Sequence, residues 1–328
     1  MLKDKIIQFF SQFENENIEN SFPLNYCLPV YHCVSDENLP HLNQIINYKN
    51  VKQFEGDLDY LSKYFQFVNW DEFKDFINGN FKPKKKIAFL SFDDGLSEFY
   101  NIIVPILERK GIYAINFINP AFIDNKDLMF RSKASLIVNK IKSQPTKNSE
   151  ISEIISSENH IEEILKIKYE NSEKLNQIAE KLDISFDSFL QEQNPYLDLN
   201  QLKKLTNKGF GISAHSWDHP LYHNLSLNQQ LETTQKTLDY LKENNLLTDS
   251  FAFPFTDFGV GKDFFEELFK NENLSCTFGS AGIKTDSFER NYQRIPMETG
   301  ENAESILKKE ISYYKMKRFI NKNKIVRK

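Results

Sequence analysis

Two adjacent carboxylates, Asp93 and Asp94, stand where the apolar run Ile87-Ala88-Phe89-Leu90-Ser91-Phe92 gives way to Gly95. Two imidazoles, His215 and His219, stand just past a second apolar run, in His215-Ser216-Trp217-Asp218-His219. Carboxylates at the mouth of a buried strand are costly beside apolar walls unless a cation meets them. Histidines spaced i, i+4 on one turn can aim their nitrogens at one point, a common way to hold a metal. With one carboxylate they make a two-His, one-Asp set that leaves positions open for water and substrate. Taken alone, the pair also reads as two half-exposed side chains on a turn. The metal reading gains from both clusters lying at expected strand ends, about 120 residues apart in the chain.

Those clusters can meet only if the elements around them bring strand ends together. The run Ile87 to Phe92 is rich in β-branched and aromatic residues and reads as a buried strand. Leu28 to His32, Phe65 to Val68, Ala114 to Ile118, Phe210 to Ala214 and Ser250 to Phe253 read as further strands. Helices are expected between them: around Phe54, Leu58 and Leu61, over Trp70 to Ile77, over Tyr100 to Lys110 before Gly111, over Leu199 to Lys208 before Gly209, and over Asn228 to Glu243. Strands alternating with helices predict a parallel sheet, open or closed, with ligands at the carboxyl ends of its strands. The rhythm breaks between residues 129 and 198, where helical spacing in Ile151 to Leu165 and Leu175 to Leu182 replaces it. That stretch is too long for an ordinary connection. It reads as a helical insertion within one domain spanning residues 1–328, with a lid as one role for it.

A chain of 328 residues with 40% hydrophobic residues, 29 of them Phe, can fill a sizeable core. The net charge of −5 argues against a general nucleic-acid binder. Cys27, Cys33 and Cys276 are widely spaced and read as reduced thiols. The short apolar patch in Met1 to Phe10 gives way to acidic, Asn-rich sequence instead of continuing into a signal-peptide core. No window approaches the roughly 18 apolar residues of a membrane span. A soluble, cytoplasmic protein is expected.

The pattern Ser91-Phe92-Asp93-Asp94-Gly95 with His215-Ser216-Trp217-Asp218-His219 resembles the polysaccharide deacetylases, carbohydrate esterase family four with NodB homology. The resemblance covers roughly residues 28–296. It implies an α/β fold, a distorted (β/α) barrel here carrying the helical insertion. It also implies a divalent metal on Asp94, His215 and His219, with Asp93 as catalytic base. Zinc is the default for such ligands, and cobalt, nickel or manganese would fit them too. The chemistry is coherent on its own terms. A metal on one carboxylate and two neutral imidazoles polarises an acetyl carbonyl and lowers the pKa of a water toward ~7. Successive side chains at a strand end diverge, which leaves Asp93 free to take the proton.

Phe251-Ala252-Phe253-Pro254-Phe255-Thr256-Asp257-Phe258-Gly259 resembles the family's third motif, in the version reading roughly Phe-Ala-Tyr-Pro-Tyr-Gly. By that likeness Pro254 fixes the backbone and the Phe255 amide serves as an oxyanion donor. A buried strand followed by a turn is the other reading, and Thr256-Asp257 departs from the tighter family turn. Familiar members hold the base with an Arg in this motif. Here the motif has none, and Arg294, after a later expected strand, could supply the guanidinium, unless it is a surface side chain. No His follows His223, so the family's late acid is missing; His32 takes that place as in the branch with an N-terminal acid, or merely lines the site. Trp217 either stacks on a sugar face or packs under the histidine turn. Arg131 either meets an anionic substrate group or is solvated, and His41 reads as a surface residue. The basic tail from Lys308 to Lys328 reads as a solvated helix packed on the barrel, with contact to an anionic membrane surface or a lipid-linked glycan as the weaker alternative.

The expected activity is removal of acetyl groups, N- or O-linked, from an acetylated sugar or polysaccharide. Alternatives are a deformylase or amidase on the same scaffold, or a catalytically silent glycan-binding relative.

Overall fold

The computed structural model describes residues 18–328 apart from 156 and 158. The segment Met1 to Phe10, read above as lacking a signal-peptide core, lies outside the described residues.

Eight parallel strands form the central sheet: β1 (Pro29–Tyr31), β2 (Leu90–Asp93), β3 (Ala114–Ile118), β4 (Gly211–Ala214), β5 (Ser250–Ala252), β6 (Cys276–Gly279), β7 (Asn291–Gln293) and β8 (Ile295–Pro296). Their spatial order is β7-β6-β5-β4-β3-β2-β1-β8. The two edge strands are therefore neighbours in the chain, separated by Arg294 alone. Gln293 pairs with Gly279 of β6, and Ile295 pairs with Pro29 of β1. One extended stretch thus joins both edges, and the sheet curls into a nearly closed barrel. This is the α/β barrel architecture expected above, with β6 as a strand that the sequence reading did not identify.

Helices wrap the barrel: α1 (Val51–Tyr64), α2 (Trp70–Ile77), α3 (Val104–Lys110), α4 (Phe130–Ser143), α5 (His160–Lys166), α6 (Glu173–Lys181), α7 (Phe186–Gln193), α8 (Leu199–Asn207), α9 (Leu227–Glu243), α10 (Lys262–Leu268) and α11 (Ala303–Phe319). Local sequence fixes several starts. Asn50, Asn69, Asp198 and Ser226 each build a capping box with the residue three places on, opening α1, α2, α8 and α9. Leu90 and Phe92 point outward into the layer shared with the helices, beside Phe54, Leu58 and Phe99. Ser91 and Asp93 alternate to the inside, as strand periodicity requires.

Helices α4 to α7 interrupt the barrel between β3 and β4. They own a small core of Ile137, Ile141, Ile164, Leu175 and Ile178. A second cluster joins Met129, Leu136 and Leu190 to Cys33, Leu42 and Leu96 near the barrel mouth. His41, expected at the surface, is instead 3% exposed, its ring against Phe189 of α7. The segment carrying it packs beneath the insertion, where Ser135 and Asn139 donate to Pro40 O.

The tail packs on the barrel through α11, burying Ile306, Leu307 and Ile311. Lys324–Ile325 then pairs with Thr285–Asp286. Arg327, from the tail read as basic and solvated, is buried and ion-paired to Asp257 and Asp286. No helix among the described residues is long and apolar enough to cross a membrane.

Candidate metal centre and active site

The site is built on strand ends, and its backbone is unusual. Asp93 closes β2. Asp94 follows with φ +76°, its N–H bonded to Phe117 O at 2.9 Å. Gly95, at φ +66°, is closely packed: a Cβ there would lie 3.1 Å from Ile118 Cγ2. Past β4, the His215 N–H bonds Ile118 O at 3.0 Å, and Ser216 and His219 take φ of +75° and +66°. Asn119 Nδ2 ties this turn down by donating to His215 O at 2.8 Å and Ser216 O at 3.0 Å. Left-handed backbone at non-glycine residues costs about 1–2 kcal/mol each and persists where surrounding bonds over-determine it.

Asp94, His215 and His219 converge, with one ligand atom from each lying within 4.8 Å of the others. His215 Nδ1 lies 2.9 Å from Ala252 O. A carbonyl only accepts, so Nδ1 carries the hydrogen and the Nε2 lone pair faces Asp94 Oδ1, 3.6 Å away. His219 Nε2 is 3.2 Å from the same oxygen. Burial, with His219 beside it, pushes the His215 pKa down to about 4, so the ring is a neutral donor at pH 7. Burial alone would raise the Asp94 carboxyl, yet the neighbouring imidazoles hold it well below its ordinary range. Asp94 Oδ1 and His215 Nε2 are buried with no well-formed hydrogen bond, although His219 lies near that oxygen. Orphaned buried atoms of this kind fit a cation's donor set.

Behind the acids lies Arg294, 1% exposed at the barrel seam. Its Nη1 and Nη2 donate to the two Asp93 oxygens at 2.7 and 2.8 Å. Nη1 also reaches Ser91 Oγ at 3.2 Å, and Nε reaches Gly279 O at 3.3 Å. Burial would raise the Asp93 carboxyl, but the guanidinium outweighs it and keeps Asp93 ionised. Across the site, His32 Nδ1 is 2.5 Å from Glu298 Oε2. Burial opposes protonation of His32, yet the Glu298 carboxylate lifts its pKa to about 10. Glu298 is held in turn by the N–H groups of His32 and Cys33, at 3.0 and 2.9 Å. The sequence reading missed Glu298, which lies four residues past Arg294.

These groups open into a cavity of about 300 Å³ whose walls include Ile45, Ile46, Met129, Phe253 and Phe255. Asp93, Asp94, His32, His219, Arg294 and Arg131 also line it. Phe255 has φ +56°, and its ring stands edge-on to His219 at 4.4 Å. Pro254 lies behind it, its carbonyl accepting the Thr256 N–H at 2.6 Å to close a γ-turn around Phe255. The Phe255 N–H makes no hydrogen bond among the described residues. Trp217 is not at the cavity. Its indole packs on α9, with Lys236 Nζ 3.7 Å from the ring centre and Tyr240 at 6.3 Å.

No family model matches the chain, and no curated protein matches its sequence. Solved structures match its fold. The Streptococcus pyogenes deacetylase PplD, in complex with acetate, gives a TM-score of 0.57 at 16% identity, over 87% of this chain and 97% of that one. IcaB from Ammonifex degensii gives 0.55 at 16% identity, over 87% and 97%. A de-N-acetylase from Aggregatibacter actinomycetemcomitans gives 0.55 at 16% identity, over 86% and 99%. The barrel seen here is the fold of these deacetylases.

Proposed function

We propose that this protein is a metal-dependent hydrolase that removes acetyl groups from an acetylated sugar or polysaccharide. The observation that carries the reading is the pairing of two differently prepared acids. Asp94 converges with two imidazoles, while Asp93 is clamped by Arg294 beside them. The deacetylases that share the fold support the same class of reaction.

Asp94, His215 and His219 would hold the divalent metal, with zinc the first choice. When bound, it would supply Lewis-acid polarisation of the acetyl carbonyl and a more acidic water. The chain's own residues do the rest. Asp93, ionised and oriented by Arg294, accepts a proton from the attacking water as its oxygen bonds to the acetyl carbon. The unengaged Phe255 N–H is a candidate donor to the oxyanion. His32, held as imidazolium by Glu298, donates a proton to the sugar nitrogen or oxygen as its bond to the acetyl carbon breaks. Acetate and the free amine or hydroxyl result. The insertion belongs to the same unit in this reading, since Met129 and Arg131 form part of the cavity wall.

The test is acetate release from N- and O-acetylated oligosaccharides, with chelator and after zinc is restored. Turnover should vanish with chelator, return with metal, and fall by about 10²–10⁴ in Asp93→Asn. Metal-loaded protein that binds such glycans and releases no acetate would replace this reading with a binding role.

A further inference from the structure

Apart from Asp94, which belongs to the candidate metal set, one charged group in the cavity has no charged counterpart among the described residues. Asp93 is matched by Arg294, His32 by Glu298, and Asp94 faces His215 and His219. Arg131, in the first turn of α4, lines the same cavity and has no acid within ion-pair distance among the described residues. Its Nη1 donates to Leu165 O, which anchors the guanidinium between α4 and the end of α5. Its Nε and Nη2 have no protein partner among the described residues. Burial lowers its pKa, and no neighbouring carboxylate counters that effect. A half-buried arginine left uncompensated is an unfavourable way to build a structural contact alone. The apolar walls from Ile45, Ile46 and Met129 strengthen its field toward anything bound there.

We infer that Arg131 is a specificity-determining residue that binds an anionic group, a carboxylate or a phosphate, on the acetylated sugar. The planar fork of an arginine suits either oxyanion in a two-bond contact. A cavity of about 300 Å³ is at the small end for ligand sites, so the anion would sit on the sugar being deacetylated or on its immediate neighbour. The inference rests on the deacetylase reading and deepens it. It makes the insertion a reader of substrate charge.

The experiment compares kcat/KM for three matched N-acetylated oligosaccharides: neutral, uronate-bearing and phosphate-bearing. The wild type should prefer at least one anionic substrate, and added salt should erode the preference. In Arg131→Gln the anionic-to-neutral ratio should fall about ten-fold or more, chiefly through KM, while Arg131→Lys keeps part of it. Uronate preferred over phosphate, or the reverse, identifies the group. A wild type with no anionic preference, or an unchanged ratio in Arg131→Gln, overturns the inference. If Arg131→Gln does not fold, the salt dependence of the wild-type ratio decides the matter alone. If no acetate is released from any substrate, the deacetylase reading has failed and binding carries the test. Calorimetry with glucuronate and with inorganic phosphate, in chelator so that metal cannot capture the anion, should then show binding that Arg131→Gln loses. Equal binding by both proteins, or none, counts against Arg131.

Discussion

Asp93 and His32 face one cavity in opposite states of protonation, and each state has an identified neighbour behind it. Arg294 keeps Asp93 an anion, and Glu298 keeps His32 a cation. A base works above its pKa and an acid below its own, so in the proposed mechanism these two neighbours would set opposite limbs of the pH–rate profile. Replacing Glu298 by Gln removes the charge that lifts His32 to about 10. The basic limb should then move to lower pH by about a unit or more, with the acid limb little changed. A profile of kcat/KM that keeps its basic limb in Glu298→Gln would take His32 out of the acid role. The sequence made Asp93, Asp94, His215 and His219 legible because each pair sits in one short motif at a strand end. Glu298 was not legible. It is one of 46 acidic residues, and its partner lies 266 positions away. Trp217 had the opposite problem: a motif neighbour whose side chain the turn directs outward, onto Lys236 and Tyr240.

At the scale of elements, the capped helices α2, α8 and α9 were read to within a residue, whereas α7, also capped, was not read, and the two-residue β8 depended on a pairing that no local pattern reveals. Strand β6 carries Thr277 and Gly279 among its four residues, so its apolar signal is weak. The insertion was legible as a break in rhythm, but not the burial of His41 beneath it. That burial has a consequence for acid stability. Burial lowers the His41 pKa to about 4, against an ordinary 6.5 for the unfolded chain. Between these values the unfolded state binds more protons, so stability rises with pH across the window. The contribution is fully present above about pH 6.5 and is lost as pH falls toward 4. It amounts to about 3 kcal/mol at most. Urea unfolding at pH 7 and pH 4.5 should show a smaller difference in His41→Leu than in the wild type. The same difference in both would mean that other groups carry the acid sensitivity.

For the whole molecule, the decisive feature is that Arg294 sits between β7 and β8, at the point where the sheet curls back on itself. Its side chain reaches Asp93 inside the barrel while its backbone joins both edges, with Arg294 N–H to Gly279 O at 3.1 Å and Ile295 N–H to Leu28 O at 2.7 Å. Arg294→Met would strand Asp93 as a buried, unpaired charge, and should cost about 3–5 kcal/mol in denaturant unfolding along with activity. The double variant Asp93→Leu/Arg294→Met should recover most of that stability and none of the activity. A double variant as unstable as the single one would show that the arginine supports the fold by more than its ion pair. The seam also imposes an order in time. Arg294 follows Asp93 by 201 residues, an interval of roughly 10–40 s at typical rates of synthesis. A growing chain therefore carries both acids, and then both histidines, before Arg294, the partner of Asp93, exists. On the proposed mechanism, hydrolytic competence would arrive only with the stretch that completes the barrel.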